Sequence, residues 1–311
     1  MPDSDKPTGD GPAPRPSDAV PSRPSSIPRE RPKAANPPAN PSAPGRWADL
    51  GTRLASALIM LAVAIAALWV GGLVWTLLVA VVTVLMGWEL ARLCDPGIAP
   101  RRSALLAASL AVPVVFLAAA FLTGADGQVV RLYQYASWGV MLLPVVLGLV
   151  LLRGGTWIWV AYGLVIQFGA QFFLFTGLDP WGFEWLLAVV GIVILSDTFG
   201  YFAGRVIGGP KFWPRISPKK TWSGTVAGWI AAAIFAGFWM GQLLDSVPLA
   251  VVSGILIAFC GQMGDIAASA IKRRVGVKDA SNLIPGHGGF MDRLDAMIAA
   301  AAATIVFALV F

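Results

Sequence analysis

The sequence predicts an all-α protein, a polytopic membrane helical bundle of about nine transmembrane helices with its amino terminus on the cytoplasmic side. Three observations carry that expectation. Of 311 residues, 57% are hydrophobic and only 13% charged, with a mean hydropathy of +0.71, the composition of a chain that meets lipid rather than water. Hydrophobic runs follow one another almost to the carboxyl terminus, several near the roughly 20 residues that carry a helix across the bilayer. The basic residues, finally, gather in every second connecting segment, as the positive-inside rule requires.

Taken in order, residues 1–45 stand apart. They hold 13 of the 23 prolines among Ser, Ala, Gly and mixed charges, and with so few aliphatic side chains they read as a disordered, Pro-rich cytoplasmic tail. No apolar core follows a basic start within its first thirty residues, so it does not read as a secretory signal. Residues 46–311 form one transmembrane domain. Its expected spans are Leu54–Val70, Leu73–Trp88, Ser103–Leu122, Trp138–Leu152, Thr156–Phe175, Trp185–Phe202, Gly224–Leu244, Leu249–Ala268 and Ala296–Phe311, the first two separated only by Gly71 and Gly72.

With the amino terminus inside, the inner segments collect Arg46 and Arg53, then Arg92, Arg101 and Arg102, then Arg153, then Arg205, Lys211, Arg215, Lys219 and Lys220, and last Lys272, Arg273, Arg274, Lys278 and Arg293. The outer segments keep only Arg131, beside Asp126, Asp179, Glu184 and Asp245. The net charge of +6 is thereby placed against acidic headgroups and anionic substrates, with no nucleic acid needed to explain it. Cys94 and Cys260 are too far apart in sequence to propose a disulfide framework or a metal cluster.

Two inner segments, 203–223 and 269–295, are longer and richer than the rest. The second, SAIKRRVGVKDASNLIPGHGGFMDRLD, packs Lys272, Arg273, Arg274 and Lys278, the only histidine, His287, and Asp279, Asp292 and Asp295 between two apolar runs. Charges beside hydrocarbon cost free energy unless they have a partner or a task. Asp197 and Asp265 lie inside hydrophobic segments, and an intramembrane carboxylate is a functional-site hypothesis by default. Asp292 and Asp295, three apart, share a helix face. Carboxylates beside clustered Lys and Arg fit bound Mg²⁺ with phosphates, because Mg²⁺ takes one or two protein carboxylates and completes its shell with water and substrate oxygens. Taken alone, an Asp-x-x-Asp pair such as Asp292 and Asp295 is more often a helix-start acid pair, Asp197 and Asp265 also read as structural carboxylates paired with a nearby Arg or Lys, and the basic segments read as membrane anchors. Gly286, Gly288 and Gly289 around His287 let backbone N–H groups approach an anion.

The pattern S-x-I-K-R-x-x-x-x-K-D-x-S-x-x-I-P-x-H-G-G-F-x-D-R-L-D over Ser269–Asp295 resembles the signature of phosphatidate cytidylyltransferases, the CDP-diacylglycerol synthases. Ser196-Asp197-Thr198 with Gly204-Arg205, Ser217-Pro218-Lys219-Lys220-Thr221-Trp222 and Gly261-Gln262-x-Gly264-Asp265 extend the likeness, strong in the last third and carried by hydropathy alone before about Ile192. It departs at two positions: the family often has an acid or amide where Ser223 stands, and often a glutamate where Ala268 stands. The resemblance implies an enzyme joining CTP and phosphatidic acid, in a bacterial-type inner membrane with a cytoplasmic active site, as a homodimer. It implies Asp265 and Asp292 as ligands of Mg²⁺, with room for a second cation. Lys219, Lys220, Lys272, Arg273, Lys278 and Arg293 would hold phosphates, Ser217 and Thr221 would add hydroxyl contacts, and His287, Gly288 and Gly289 would shape the pocket. Asp197 would be a further acid of the site, while Asp279 and Asp295 would orient cations. The other readings are cytidylyl transfer to a different lipid phosphate and, in another class, a transporter, for which no internal repeat is visible.

Overall fold

The computed structural model describes residues 46–179 and 182–310; the tail expected over 1–45 and the terminal Phe311 lie outside them. Among the described residues are ten helices, α1 (Arg46–Val70), α2 (Gly72–Cys94), α3 (Pro100–Leu122), α4 (Gly127–Val140), α5 (Leu142–Leu151), α6 (Thr156–Leu178), α7 (Gly182–Val206), α8 (Trp222–Leu243), α9 (Val247–Arg274) and α10 (Met291–Val310). One antiparallel hairpin, β1 (Lys211–Trp213) and β2 (Ser217–Thr221), lies between α7 and α8. The chain is an all-α polytopic membrane bundle. Seven stretches are long and apolar enough to cross a bilayer: α2, α3, α4 with α5, α6, α7, α8 and α9. The shorter apolar part of α1, Leu54–Val70, and α10 complete the expected series. Large apolar side chains such as Ile59, Trp69, Val150 and Phe238 are 63%, 89%, 73% and 81% exposed, which a water-soluble monomer does not tolerate as a belt.

Helix α6 is the mast. Its Ile158, Trp159, Tyr162 and Ile166 pack with α2, α3 and α9, its Phe172 with α7, α8 and α10, and its Ala170 and Leu174 with α1, α2 and α3. The division between the first two runs falls at Gly71, whose φ of 66° is backbone that glycine adopts without steric cost.

The structure moves several expected boundaries. Where one span was expected over Trp138–Leu152, α4 begins eleven residues earlier, after an Asp126 cap that accepts from the N–H groups of Gln128 and Val129, and breaks at Met141. Pro144 explains the break, since it has no N–H to give the carbonyl one turn back. The segment 269–295, expected as a loop, is helical at both ends. Lys272, Arg273 and Arg274 form the last turn of α9, where cations meet the negative end of the helix dipole, and Asp292 stands in the first turn of α10, where an acid meets the positive end. Hydropathy marks the hydrocarbon, whereas backbone hydrogen bonding continues past it. The irregular chain is therefore only residues 275–290.

Candidate active site

One end of the bundle carries the carboxyl ends of α7 and α9, the amino ends of α8 and α10, and the hairpin. A cavity of about 530 Å³ opens there. Asp197 comes to it from α7, Lys219, Lys220 and Thr221 from β2, and Asp265 with Gln262 from α9. Lys220 Nζ lies 2.5 Å from Asp265 Oδ2, both side chains partly exposed to the cavity, and Asp197 is within electrostatic reach of both. Thr221 ends β2 and caps α8, its Oγ1 accepting from the Gly224 N–H, so the hairpin delivers its lysines at a helix start, where N–H groups face anions.

Gln262 was not among the residues expected to act. Its amide donates to Ser196 Oγ at 3.1 Å and accepts from Trp229 Nε1 at 3.0 Å, so α7, α8 and α9 are tied together one turn below Asp265. Ser223, one of the two departures, donates to Gly208 O at 2.5 Å and meets Thr221 Oγ1 at 3.1 Å. It closes the hairpin segment onto α8.

A second charged group lies across the α9–α10 contact. Lys272 Nζ is 2.5 Å from Asp292 Oδ1, with the side chains only 9% and 6% exposed. Asp292 Oδ2 accepts from the N–H groups of Ala280 and Gly289, both at 2.8 Å. Asp295 is buried, accepts from its neighbour Ala296 N–H, and lies within electrostatic reach of Asp265, Lys272 and Lys220, which joins the two ion pairs into one cluster. The helices approach because small residues face each other, as in membrane helix packing generally. A Cβ on Gly264 would collide with Ala299 Cβ and stand 2.6 Å from Asp295 O. From α6, the buried Tyr162 hydroxyl, without a hydrogen-bond partner, is within electrostatic reach of all three aspartates. Sequence reasoning missed it, because one tyrosine in an apolar run carries no signal.

Other expected residues serve the segment 275–290 instead. Arg273 Nη1 donates to Val277 O, Arg293 donates twice to His287 O at 3.0 and 2.8 Å, and His287 Nδ1 meets Ser56 Oγ of α1 at 2.6 Å. Lys278 and Asp279 are exposed, Asp279 on a separate cavity with Arg92 and Trp88. Ser217 is half-buried in β2. Gly288 and Gly289 pack against Asp292 and against Glu89.

The donor set is sparse for a metal. Among the described residues no three His, Cys, Asp or Glu side chains gather as a metal site. Asp265 keeps an oxygen beyond the one on Lys220, and Asp292 holds three donors of the roughly four that a carboxylate accepts. Two such carboxylates suit a cation that completes its shell with substrate oxygens and water, and not a closed protein cage.

Asp197, Lys219, Lys220 and Asp265 thus line one cavity at an end of a membrane bundle. A family model described as "Cytidylyltransferase family" matches residues 51–311. The phosphatidate cytidylyltransferase of Pseudomonas aeruginosa is 32% identical over 81% of this chain and 94% of its own length. Those of Brucella abortus and Bacillus subtilis are 41% and 36% identical over 44% and 39% of this chain. Those two alignments cover about half of the relatives' own lengths, 52% and 46%. The chain belongs to the cytidylyltransferase family.

Proposed function

We propose that this protein joins CTP to phosphatidic acid, giving CDP-diacylglycerol and pyrophosphate. The observation that carries the reading is the Lys220–Asp265 pair in the cavity, connected through Asp295 to the buried Lys272–Asp292 pair. A phosphate oxygen of phosphatidate attacks the α-phosphorus of CTP, the new P–O bond forms, and the bond to the bridging oxygen of the departing pyrophosphate breaks. A phosphomonoester with a second pKa near about 6 is largely dianionic at neutral pH, so no general base is required. The obstacle is repulsion between anions and charge growing on the leaving group, which fixed cations oppose. Lys219 and Lys220 would hold phosphates at the cavity wall, and the Thr221-capped start of α8 adds N–H groups. Asp265 and Asp292 would hold Mg²⁺, with room for a second cation, which neutralises the triphosphate.

Cavity and basic residues share one end of the bundle, which by the positive-inside rule is the cytoplasmic end. CTP then reaches it from the cytosol and the lipid from the inner leaflet of a bacterial-type inner membrane. The homodimer belongs to the same reading and is tested by the mass of the detergent-solubilised protein.

The test is conversion of radiolabelled phosphatidate by the purified protein with CTP and Mg²⁺. We expect CDP-diacylglycerol, lost on chelation and in Asp265→Asn. A wild type that turns over a different lipid phosphate in preference would move the reading to that substrate. Solute flux in liposomes without CTP turnover would replace it with transport.

A further inference from the structure

The proposed chemistry makes no use of Glu89, yet this is the most enclosed acid among the described residues, 0% exposed near the end of α2. A buried carboxylate needs donors or a cation. Its donors come from 192 to 202 residues further along the chain. Oε1 accepts from Ser281 Oγ at 2.5 Å and from the Phe290 N–H at 3.0 Å, and Oε2 accepts from the Met291 N–H at 2.7 Å. Phe290 and Met291 open α10, so Glu89 satisfies N–H groups that a helix start leaves without partners inside the helix, and places its charge at the positive end of that helix.

The same stretch of backbone is gripped from its other side. Asp292 accepts from Ala280 and Gly289, so both ends of the 280–291 segment are pinned twice: 280 and 289 by Asp292, 281 and 290–291 by Glu89. The paired glycines follow from this arrangement. A Cβ on Gly289 would collide with Glu89 Oε1 and lie 2.7 Å from its carboxyl carbon, while one on Gly288, at φ 84°, would lie 2.8 Å from Asp292 Oδ2. The backbone between His287 and Phe290 is held between two carboxylates with no room for a side chain.

We propose that Glu89 is a positioning residue that fixes the 280–291 segment, and through it Asp292, in the geometry needed to receive the cation and phosphates. The clamp itself stands on the contacts above; its role in turnover rests on the proposed reading of Asp292. Loss of the clamp frees the start of α10, so Asp292 keeps its charge but loses its orientation.

The experiment uses the full chain in detergent with two readouts. Glu89→Gln keeps the size, but turns an amide N–H₂ toward groups that are themselves donors. Amide hydrogen exchange over 280–291, measured without substrate, is expected to rise at least tenfold, with α6 and α8 unchanged. In turnover, kcat falls at least tenfold and the Mg²⁺ concentration for half-maximal rate rises, while the KM for phosphatidate stays within about twofold. Unchanged exchange overturns the clamp. Faster exchange with unchanged kcat and Mg²⁺ dependence overturns the positioning role. Should Glu89→Gln fail to fold, Ser281→Ala removes one donor without touching the buried charge, and unchanged exchange at 280–283 then overturns the clamp. A wild type without turnover refutes the proposed reaction, and the positioning role with it, while exchange still judges the clamp.

Discussion

The Lys272–Asp292 pair allows an energetic prediction worked from its geometry. Both side chains are nearly enclosed, at 9% and 6% exposure, so neither charge can turn to water when the other is removed. Breaking such a pair from one side costs about 3–5 kcal/mol, because an uncompensated charge stays buried. The two partners are not equivalent. Lys272→Met leaves Asp292 with the N–H groups of Ala280 and Gly289, and hydrogen bonds to a charged group retain about 1.5–3 kcal/mol each. Asp292→Asn sets an amide against a buried ammonium, and should stand at the upper end of the range. The double variant removes both charges and keeps an acceptor for the two N–H groups. It should therefore be destabilised by well under the sum of the singles, with a coupling of about 3 kcal/mol, near the top of the range for residues in one network. Reversible unfolding in detergent, followed by tryptophan fluorescence, measures all four proteins. Singles costing under about 1 kcal/mol, or a double equal to their sum within about 0.5 kcal/mol, would show that the pair is not a buried, coupled unit.

Gly264→Ala should lower stability by about 1–3 kcal/mol, the usual cost of overpacking, because the new methyl meets Ala299 and the Asp295 carbonyl; turnover should fall with it, since the wedge separates Asp265 from Asp295. Thermal melts and kcat check both, and a neutral variant would mean that α9 and α10 do not pack this closely. Ser223→Ala should cost about 1 kcal/mol through loss of the hydroxyl that donates to Gly208 O, and unfolding measurements test it. Ala268→Glu should destabilise and bring no gain in kcat, because Ala268 is fully buried among Met86, Leu90, Ile271 and Met291. Higher turnover in that variant would refute the placement of Ala268 in an apolar core.

How far the sequence could be read depended on whether a feature is local. Hydrophobic runs are local, and they located all seven stretches long and apolar enough to cross a bilayer. Their ends were less legible, because the last turn of α9 and the first of α10 are charged but still helical. The break at Met141 had its cause in view at Pro144, yet an apolar average over Trp138–Leu152 hides one missing N–H. The hairpin was not legible either: Lys211–Trp213 and Ser217–Thr221 are too short to establish a period, and their pairing becomes visible only when Trp222 begins a helix behind them.

The site divides in the same way. Asp197 and Asp265 could be picked out because a charge in an apolar run is conspicuous, Lys220 because it stands in the basic inner segment 203–223, and the structure brings the three to one cavity. Lys272, Asp292 and Asp295 were conspicuous too, but their burial was not, since exposure depends on what α6 and α2 place over them. Glu89 shows why such a residue escapes notice. It stands at the polar end of a hydrophobic run, between Trp88 and Leu90 with Arg92 one turn on, where an acid reads as an ordinary interfacial charge. Its importance comes from closure across the fold: the helix that follows residue 290 starts directly over α2, so the N–H groups needing an acceptor meet a carboxylate from the other end of the chain. The glycines at 288 and 289 are the visible trace of that meeting, because they record in sequence how little space two carboxylates leave between them.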